Sequence, residues 1–383
     1  MTIAINATSA RMGGALTYIT NLIASIFENP RGMTFLFFIS DALLIPDSPH
    51  PTVRLIRIPA TICNSSWRIL WWQNVTLPAL LKVQSIDLLY STANFATFFC
   101  PCPQILLIRI PLYFSREYIQ HILPKKNTVE KIDFYLRRLL IVFSAQQATT
   151  LLFPSKSMQN DFLAFMPKAT SKSKTNLYGT HIKKWRIDKQ EKTTGEPINI
   201  LCTSHYSDYK NYTTLLQALQ ILALNKLHFT FTAPINLDLP LFQTAFTFHN
   251  DKELLASNEL KDKVRLLGPV SLNELAALYQ NADIFAWPSL AESFGHPLIE
   301  AMAAEIPIIC SDIPVNRELC GAAALYFNPH DPHALAQLIE NLIVNSDTRK
   351  QLAINGTSRV ESFEWEGHVE RLCDLFTASA TQI

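Results

Sequence analysis

Short apolar runs alternate along this chain with amphipathic stretches of helical length, which is the pattern of parallel strands joined by crossover helices. In the first half the runs 3–6, 33–39, 53–58, 88–91, 104–108 and 150–154 predict strands, and 16–27 and 132–147 have helical spacing. A polar, lysine-rich stretch follows over 168–192. The alternation then restarts with a strand over 198–204, a helix over 213–224 and strands near Phe229, Val264, Ile284, Ile308 and Ala324. The reading is α/β, with two Rossmann-like halves joined near residue 190. No period of 20 to 50 residues is visible, so a solenoid is excluded.

Composition agrees with two large cores: 383 residues, 48% hydrophobic and 17% charged, with ten glycines, exclude a lone small module, a disordered chain and a collagenous one. Charge divides the chain where the pattern does. Residues 1–186 carry 20 Lys/Arg and 8 Asp/Glu, a net of +12, and residues 187–383 carry 13 and 24, a net of −11. Either the halves attract each other or the basic half meets an anionic surface or ligand. Seven cysteines, odd in number and mostly within apolar runs, fit reduced thiols in a cytoplasm. The start of the chain lacks a basic region and turns polar after five residues, so it reads as a strand and not as a signal peptide. The most membrane-like stretch, 139–154, is broken by Ser144, Gln146, Gln147, Thr149 and Thr150 and is too short to span.

Motifs narrow the chemistry. No G-x-G-x-x-G follows the first strand, and G-x-x-x-x-G-K-[ST], D-x-D, H-E-x-x-H and G-x-S-x-G are absent, which removes the anchors of dinucleotide, P-loop, metal-dependent, zinc-hydrolase and serine-hydrolase readings. The informative stretch is 285–304, FAWPSLAESFGHPLIEAMAA. A buried strand enters a turn, and Pro297 stands where a first helical residue is expected, so amides near Gly295 and His296 would form a helix N-terminus suited to a phosphate or polar sugar. Glu292 and Glu300 flank that turn eight residues apart, and a carboxylate accepts hydrogen bonds from adjacent hydroxyls. By spacing alone the plainer reading is that Glu300 serves the helix dipole and Glu292 is a solvated loop charge.

With these residues in view, the chain resembles the retaining glycosyltransferases of family 4, which have the GT-B fold of two Rossmann-like domains facing a central cleft. Glu292-Ser-Phe-Gly-His-Pro-Leu-Ile-Glu300 looks like their E-x7-E motif, Val264–Val270 like the strand and loop beside the nucleobase, and 307–318 and 322–332 like the segments after the motif helix. The likeness covers about 197–370. It implies domains at 1–187 (with a returning helix at 365–383) and 188–364. It also implies that Glu292 lies by the donor sugar, that Glu300 holds the ribose hydroxyls, and that amides at Phe294, Gly295 and His296 meet the sugar or diphosphate, with Gly268 and Val270 near the base. The 204–211 loop resembles the one supplying a basic pair to the diphosphate, with Lys210 on the lysine and His205 where arginine is usual. A neutral histidine is a weak phosphate donor. Gly13-Gly14 looks like the glycine loop opening the first helix. Arg109 stands where many relatives place a histidine near the anomeric carbon, either touching an anionic acceptor or serving as an ion-pair partner. Glu305 replaces a common glycine, with an altered helix end as the expected consequence.

The resemblance therefore implies a retaining transferase that moves a sugar from a nucleoside diphosphate sugar to a glycan or lipid-linked acceptor hydroxyl in surface glycan or glycolipid assembly. No cofactor or metal is required and no nucleic acid is involved, and the protein is cytoplasmic, lying on an anionic membrane face. A catalytically silent scaffold of this fold, a nucleotide-sugar epimerase and a phosphorylase are the alternatives. Three smaller readings complete the picture. His330, Asp331 and His333 have metal-like spacing, better explained by Asp331 capping a helix with Pro332 at its start; Cys100 and Cys102 lack a second pair for a metal site; and Trp67, Trp71, Trp72 and Arg68 form an aromatic and basic cluster suited to a membrane interface or to a core.

Overall fold

A computed structural model describes residues 1–10, 13–48, 50–186, 195–240 and 242–380. The expected boundary at 187/188 lies outside the described residues. The chain forms two compact units: Met1–Tyr113 with Val129–Tyr178 and Glu366–Ile383, and Phe114–Thr128 with Gly179–Trp365. Chain order would place 114–128 in the first unit, yet it packs with the second.

The first unit holds one parallel sheet, β1 (Thr2–Asn6), β2 (Thr34–Ser40), β3 (Val53–Ile58), β4 (Leu88–Ser91), β5 (Gln104–Leu107), β6 (Thr150–Phe153) and β7 (Ser173–Thr175), in spatial order β3-β2-β1-β4-β5-β6-β7. β4, β5 and β6 are buried along their whole length. Crossover helices cover both faces of such a sheet, so its inner strands are continuous apolar runs instead of alternating ones, and that is why they are visible in the sequence; the edge strand β3 is interrupted by exposed Arg54 and Arg57. β7 is not visible, because Ser173-Lys174-Thr175 is a short polar edge strand that pairs only with β6.

The second unit repeats the plan with β8 (Ile198–Leu201), β9 (Phe229–Ala233), β10 (Val264–Leu266), β11 (Ile284–Trp287), β12 (Ile308–Ser311) and β13 (Ala324–Phe327), in the order β10-β9-β8-β11-β12-β13, all parallel. In each sheet the strand order reverses beside its first strand, between β1 and β4 and between β8 and β11. Open α/β sheets bind ligands outside the carboxyl ends of the strands at this reversal. In the second unit those two ends lead directly into the loops that hold Lys210 and Glu292.

Helix ends follow the sequence chemistry. Asp331 caps helix Pro332–Val344 by accepting the Ala334 amide at 3.0 Å. Helix His296–Ala303 begins one residue before Pro297, after Gly295 at φ 100°. The positive φ favours glycine there, and a Cβ on Gly295 would also press to 3.3 Å from the end of the Leu298 side chain. Glu305 sits at φ 58°, with its amide bonded to the Met302 carbonyl and the Ile306 amide to Ala301. This is the usual closure of a helix on a left-handed residue, so the expected altered helix end is not found, and in the backbone the departure from glycine shows as a strained positive φ. Glu305→Gly is therefore expected to raise stability by about 0.5–1 kcal/mol without affecting ligand binding, which chemical denaturation will check; an unchanged or lowered midpoint would mean that the Glu305 side chain offsets its own strain.

Candidate functional site

The loop after β8 runs from Cys202 to Asn211 and the loop after β11 from Pro288 to Gly295. Backbone bonds fasten them together, with the Leu290 amide donating to the Tyr209 carbonyl at 2.8 Å. Asn211, left-handed at φ 57°, donates from Nδ2 to the carbonyls of Pro288 (3.2 Å) and Pro329 (2.7 Å). This anchoring holds Lys210 and Glu292 against each other.

Lys210 Nζ lies 2.5 Å from Glu292 Oε1, and both side chains are nearly buried. The ammonium also sits 4.7 Å from the Trp287 ring centre and 5.3 Å from that of Tyr209, a desolvated setting in which cation–π attraction is strongest. Burial works to lower the Lys210 pKa, but the Glu292 carboxylate, followed by Tyr209, overcomes it and leaves the pKa raised. Lys210 is thus a fixed positive charge at neutral pH. The expected lysine and first glutamate are together, as an ion pair.

His205 shares this loop, its Nε2 3.0 Å from the Tyr209 hydroxyl. The ring edge is exposed, yet desolvation by neighbouring protein atoms and, second, the charge on Lys210 push its pKa down. It is neutral at pH 7, a hydrogen-bonding group and not a second cation. His296 is likewise held neutral, its pKa pushed down to about 4 by burial, with its ring against Phe294 at 5.1 Å.

Glu300 lies in the second turn of the 296–303 helix, and its Oε2 accepts from the Tyr279 hydroxyl at 2.8 Å. That hydroxyl is also 2.9 Å from Thr203 Oγ1, so Tyr279 ties the second glutamate to the β8 loop. Desolvation raises the Glu300 pKa to about 7, against the lowering effects of Tyr279 and of Lys184. The carboxyl is protonated below that value and ionised above it. If it accepts hydrogen bonds from a ribose, the ionised form is the competent one, and nucleotide affinity should fall about tenfold from pH 8 to pH 6. Glu300→Gln should abolish that difference, which separates it from titration of the nucleotide phosphate; an identical pH profile in the variant would remove Glu300 from the contact.

Gly268, at φ 74°, and Val270 follow β10, the Gly268 amide donating to the Ile235 carbonyl at 3.0 Å. The remaining expected residues belong to the first unit. Gly13 and Gly14 open helix Gly13–Glu28; Gly13 is left-handed at φ 58°, which favours glycine, whereas Gly14 is not, and the space beside both is open. Arg109 follows β5. Its amide donates to Asn94 Oδ1 at 2.8 Å, and its charge bears on the buried hydroxyls of Tyr178, Tyr18 and Tyr90. Tyr18 and Tyr90 hydroxyls are 2.9 Å apart, and His368 of the returning helix is 3.3 Å from Tyr18.

Trp287, Tyr209, Tyr279 and Asn211 were not found by sequence reasoning. Aromatic and amide residues in such positions read as core or turn, and only Asn211, in a loop before a helix, offered a signal of left-handed backbone.

Residues 183–359 match the family model described as glycosyl transferases group 1. Among curated relatives, the O-antigen chain mannosyltransferase RfbU of Salmonella typhimurium is 46% identical over 91 residues, 24% of this chain. The match spans only 26% of that relative's length. Among solved structures, sucrose-phosphate synthase from Thermosynechococcus elongatus superposes with a TM-score of 0.75 at 17% identity, covering 99% of this chain and 98% of that one. Anabaena Alr3699/HepE in complex with UDP-glucose gives 0.71 at 16% identity, covering 99% and 100%. These likenesses establish the fold, an α/β chain of the GT-B class with two Rossmann-like units, and place a glycosyl transferases group 1 region in the second unit.

Proposed function

We propose that the protein is a retaining glycosyltransferase of family 4 that moves a sugar from a nucleoside diphosphate sugar to an acceptor hydroxyl in glycan assembly. The observation that carries the reading is the Lys210–Glu292 pair, held with Glu300 around the β8/β11 reversal. Lys210 neutralises the diphosphate, whose charge grows as the glycosidic bond breaks, and a preorganised cation in a dry site is the effective way to stabilise such charge. Glu292, released from Lys210 when the donor arrives, accepts from sugar hydroxyls. Glu300 accepts from the ribose, and Gly268 and Val270 border the base. The amides of Phe294, Gly295 and His296 serve the sugar or diphosphate, and His205 adds a neutral hydrogen bond. Gly13, Gly14 and Arg109 are assigned to acceptor and phosphate contacts from the first unit. These groups supply the positive charge, so the transfer step requires no metal. The O-antigen relative and the neighbour solved with UDP-glucose support a nucleotide-sugar donor and a surface glycan product.

The acceptor assigned is membrane-borne, and the basis for that differs from the net charge of the first half. Lys126 is bonded to Asp208 at 2.6 Å, Arg137 to Asp133, and Lys172 to the carbonyls of Ala145, Gln146 and Ala148. These three basic side chains of the positive half thus have partners within the protein, Arg137 in an exposed pair on its own helix. Helix Thr128–Gln147 instead exposes Val129, Ile132, Tyr135, Leu136, Leu139, Leu140 and Phe143, an apolar stripe at helical spacing of the kind that lies in a bilayer interface. Trp67 and Trp71 are exposed as well, whereas Trp72 is buried against Phe38. No described helix is long and apolar enough to cross a membrane.

Incubation with labelled nucleoside diphosphate sugars and anionic vesicles carrying lipid-linked saccharide acceptors tests both parts. One donor should pass its label to the lipid fraction, and Leu139→Glu with Phe143→Glu should reduce vesicle co-sedimentation severalfold while leaving nucleotide binding intact. Label transfer to no acceptor would overturn the activity. Unchanged sedimentation of the double variant would overturn the membrane face alone.

A further inference from the structure

Glu117 and His121 stand four residues apart around the π-helical turn Tyr118–Ile122, in the 114–128 segment that packs with the second unit. His330, more than two hundred residues later, faces them. Glu117 Oε2 is 3.0 Å from His330 Nε2 and 3.7 Å from His121 Nε2, and the three ligand atoms lie within 4.8 Å of one another. The imidazole rings of His121 and His330 are 4.2 Å apart, centre to centre. An ion bound at about 2.0–2.1 Å to each ligand needs donor atoms about 3.3 Å apart in a tetrahedral array and about 2.9 Å apart in an octahedral one. The two separations from Glu117 Oε2, 3.0 and 3.7 Å, lie within about half an ångström of the tetrahedral value.

We propose that Glu117, His121 and His330 bind one divalent transition metal ion of the zinc class, which fastens the 114–128 segment to the second unit. Two imidazoles and one carboxylate form a donor set that suits zinc, cobalt or nickel over magnesium or calcium. All three side chains keep partial exposure, which leaves an entry path and a position for water. Both ligand-bearing elements are already fixed. The Pro329 carbonyl beside His330 accepts from Asn211 and from Thr214 Oγ1 at 3.1 Å, the His330 amide donates to Asn328 Oδ1, and Asp331 caps the helix that follows. On the other side Lys126 holds Asp208, and the Tyr118 ring lies 6.4 Å from that of Tyr209. The ion would therefore bridge two supports of the loop that carries Lys210 without touching the reacting groups, a structural role independent of the transferase reading.

The test uses the full chain, untagged and stripped of metal, in a Cys100→Ser/Cys102→Ser background, because those thiols lie 3.8 Å apart and are the competing soft ligands. Cobalt titration should give a saturable visible d–d band at one equivalent, and zinc, but not magnesium, should raise the melting temperature. His121→Ala and His330→Ala should each weaken binding by more than the roughly 10–100-fold that an outer-shell partner is worth and remove the thermal shift, with Glu117→Gln intermediate. Circular dichroism confirms that the variants fold. Absence of a saturable band, or cobalt affinity in both histidine variants equal to that of the parent chain, would overturn the site.

Discussion

Lys210→Met is expected to lower kcat/KM for sugar transfer by about 10²–10³-fold, the usual cost of removing one preorganised group that stabilises transition-state charge. The same change leaves Glu292 as a nearly buried carboxylate without its ammonium partner. Breaking such a pair from one side costs about 3–5 kcal/mol of stability, because desolvation of the remaining charge is no longer offset. The double variant Lys210→Met/Glu292→Gln should regain most of that stability while staying inactive. Melting curves and initial rates on the single and double variants separate the two effects. A single variant with full activity would show that Lys210 neutralises only Glu292 and never a diphosphate.

The second large effect divides the two glutamates. Glu300→Ala removes the acceptor assigned to the ribose and should weaken binding of the nucleoside diphosphate product by about 10²-fold, the sum of two charge-assisted hydrogen bonds discounted for water in the vacated space. Glu292→Gln keeps the size and the hydrogen-bonding reach, so the product should bind as before while turnover falls by about 10²-fold. Titration calorimetry and steady-state rates measure the two quantities. Equal, unchanged behaviour in both variants would dismantle the assignment.

The parts of this molecule that were legible in its sequence are those that physics forces into local patterns. Strands buried on both faces must be apolar throughout, so the inner strands β1, β2, β4 to β6, β8, β9, β11 and β12 stood out; the edge strands β3, β10 and β13 kept enough apolar residues to be seen, whereas β7, polar and at an edge, did not. The E-x7-E spacing could be read because Glu292 and Glu300 straddle one turn held by Gly295 and Pro297, all within a single short stretch. What could not be read depends on encounters between distant segments. The 114–128 segment shows no sign in its residues of packing with the second unit, since the Lys126–Asp208 bond that holds it joins positions 82 apart. His330 was weighed with its neighbours Asp331 and His333, but its structural companions are Glu117 and His121. Net charge gave amounts and not positions: that Lys126 bonds to Asp208 and Lys172 to three carbonyls could not be read from it, and the exposed stripe from Val129 to Phe143 had looked like an ordinary amphipathic helix.

The measurement that bears most directly on the central claim is calorimetric titration of the wild-type chain with a panel of nucleoside diphosphates at pH 8, repeated on Lys210→Met and Glu300→Ala. The account predicts that one nucleobase binds with clear preference at one site per chain, and that each variant loses about 10²-fold or more of that affinity. Failure of every nucleoside diphosphate to bind the wild type, or equal binding by wild type and both variants, would contradict it.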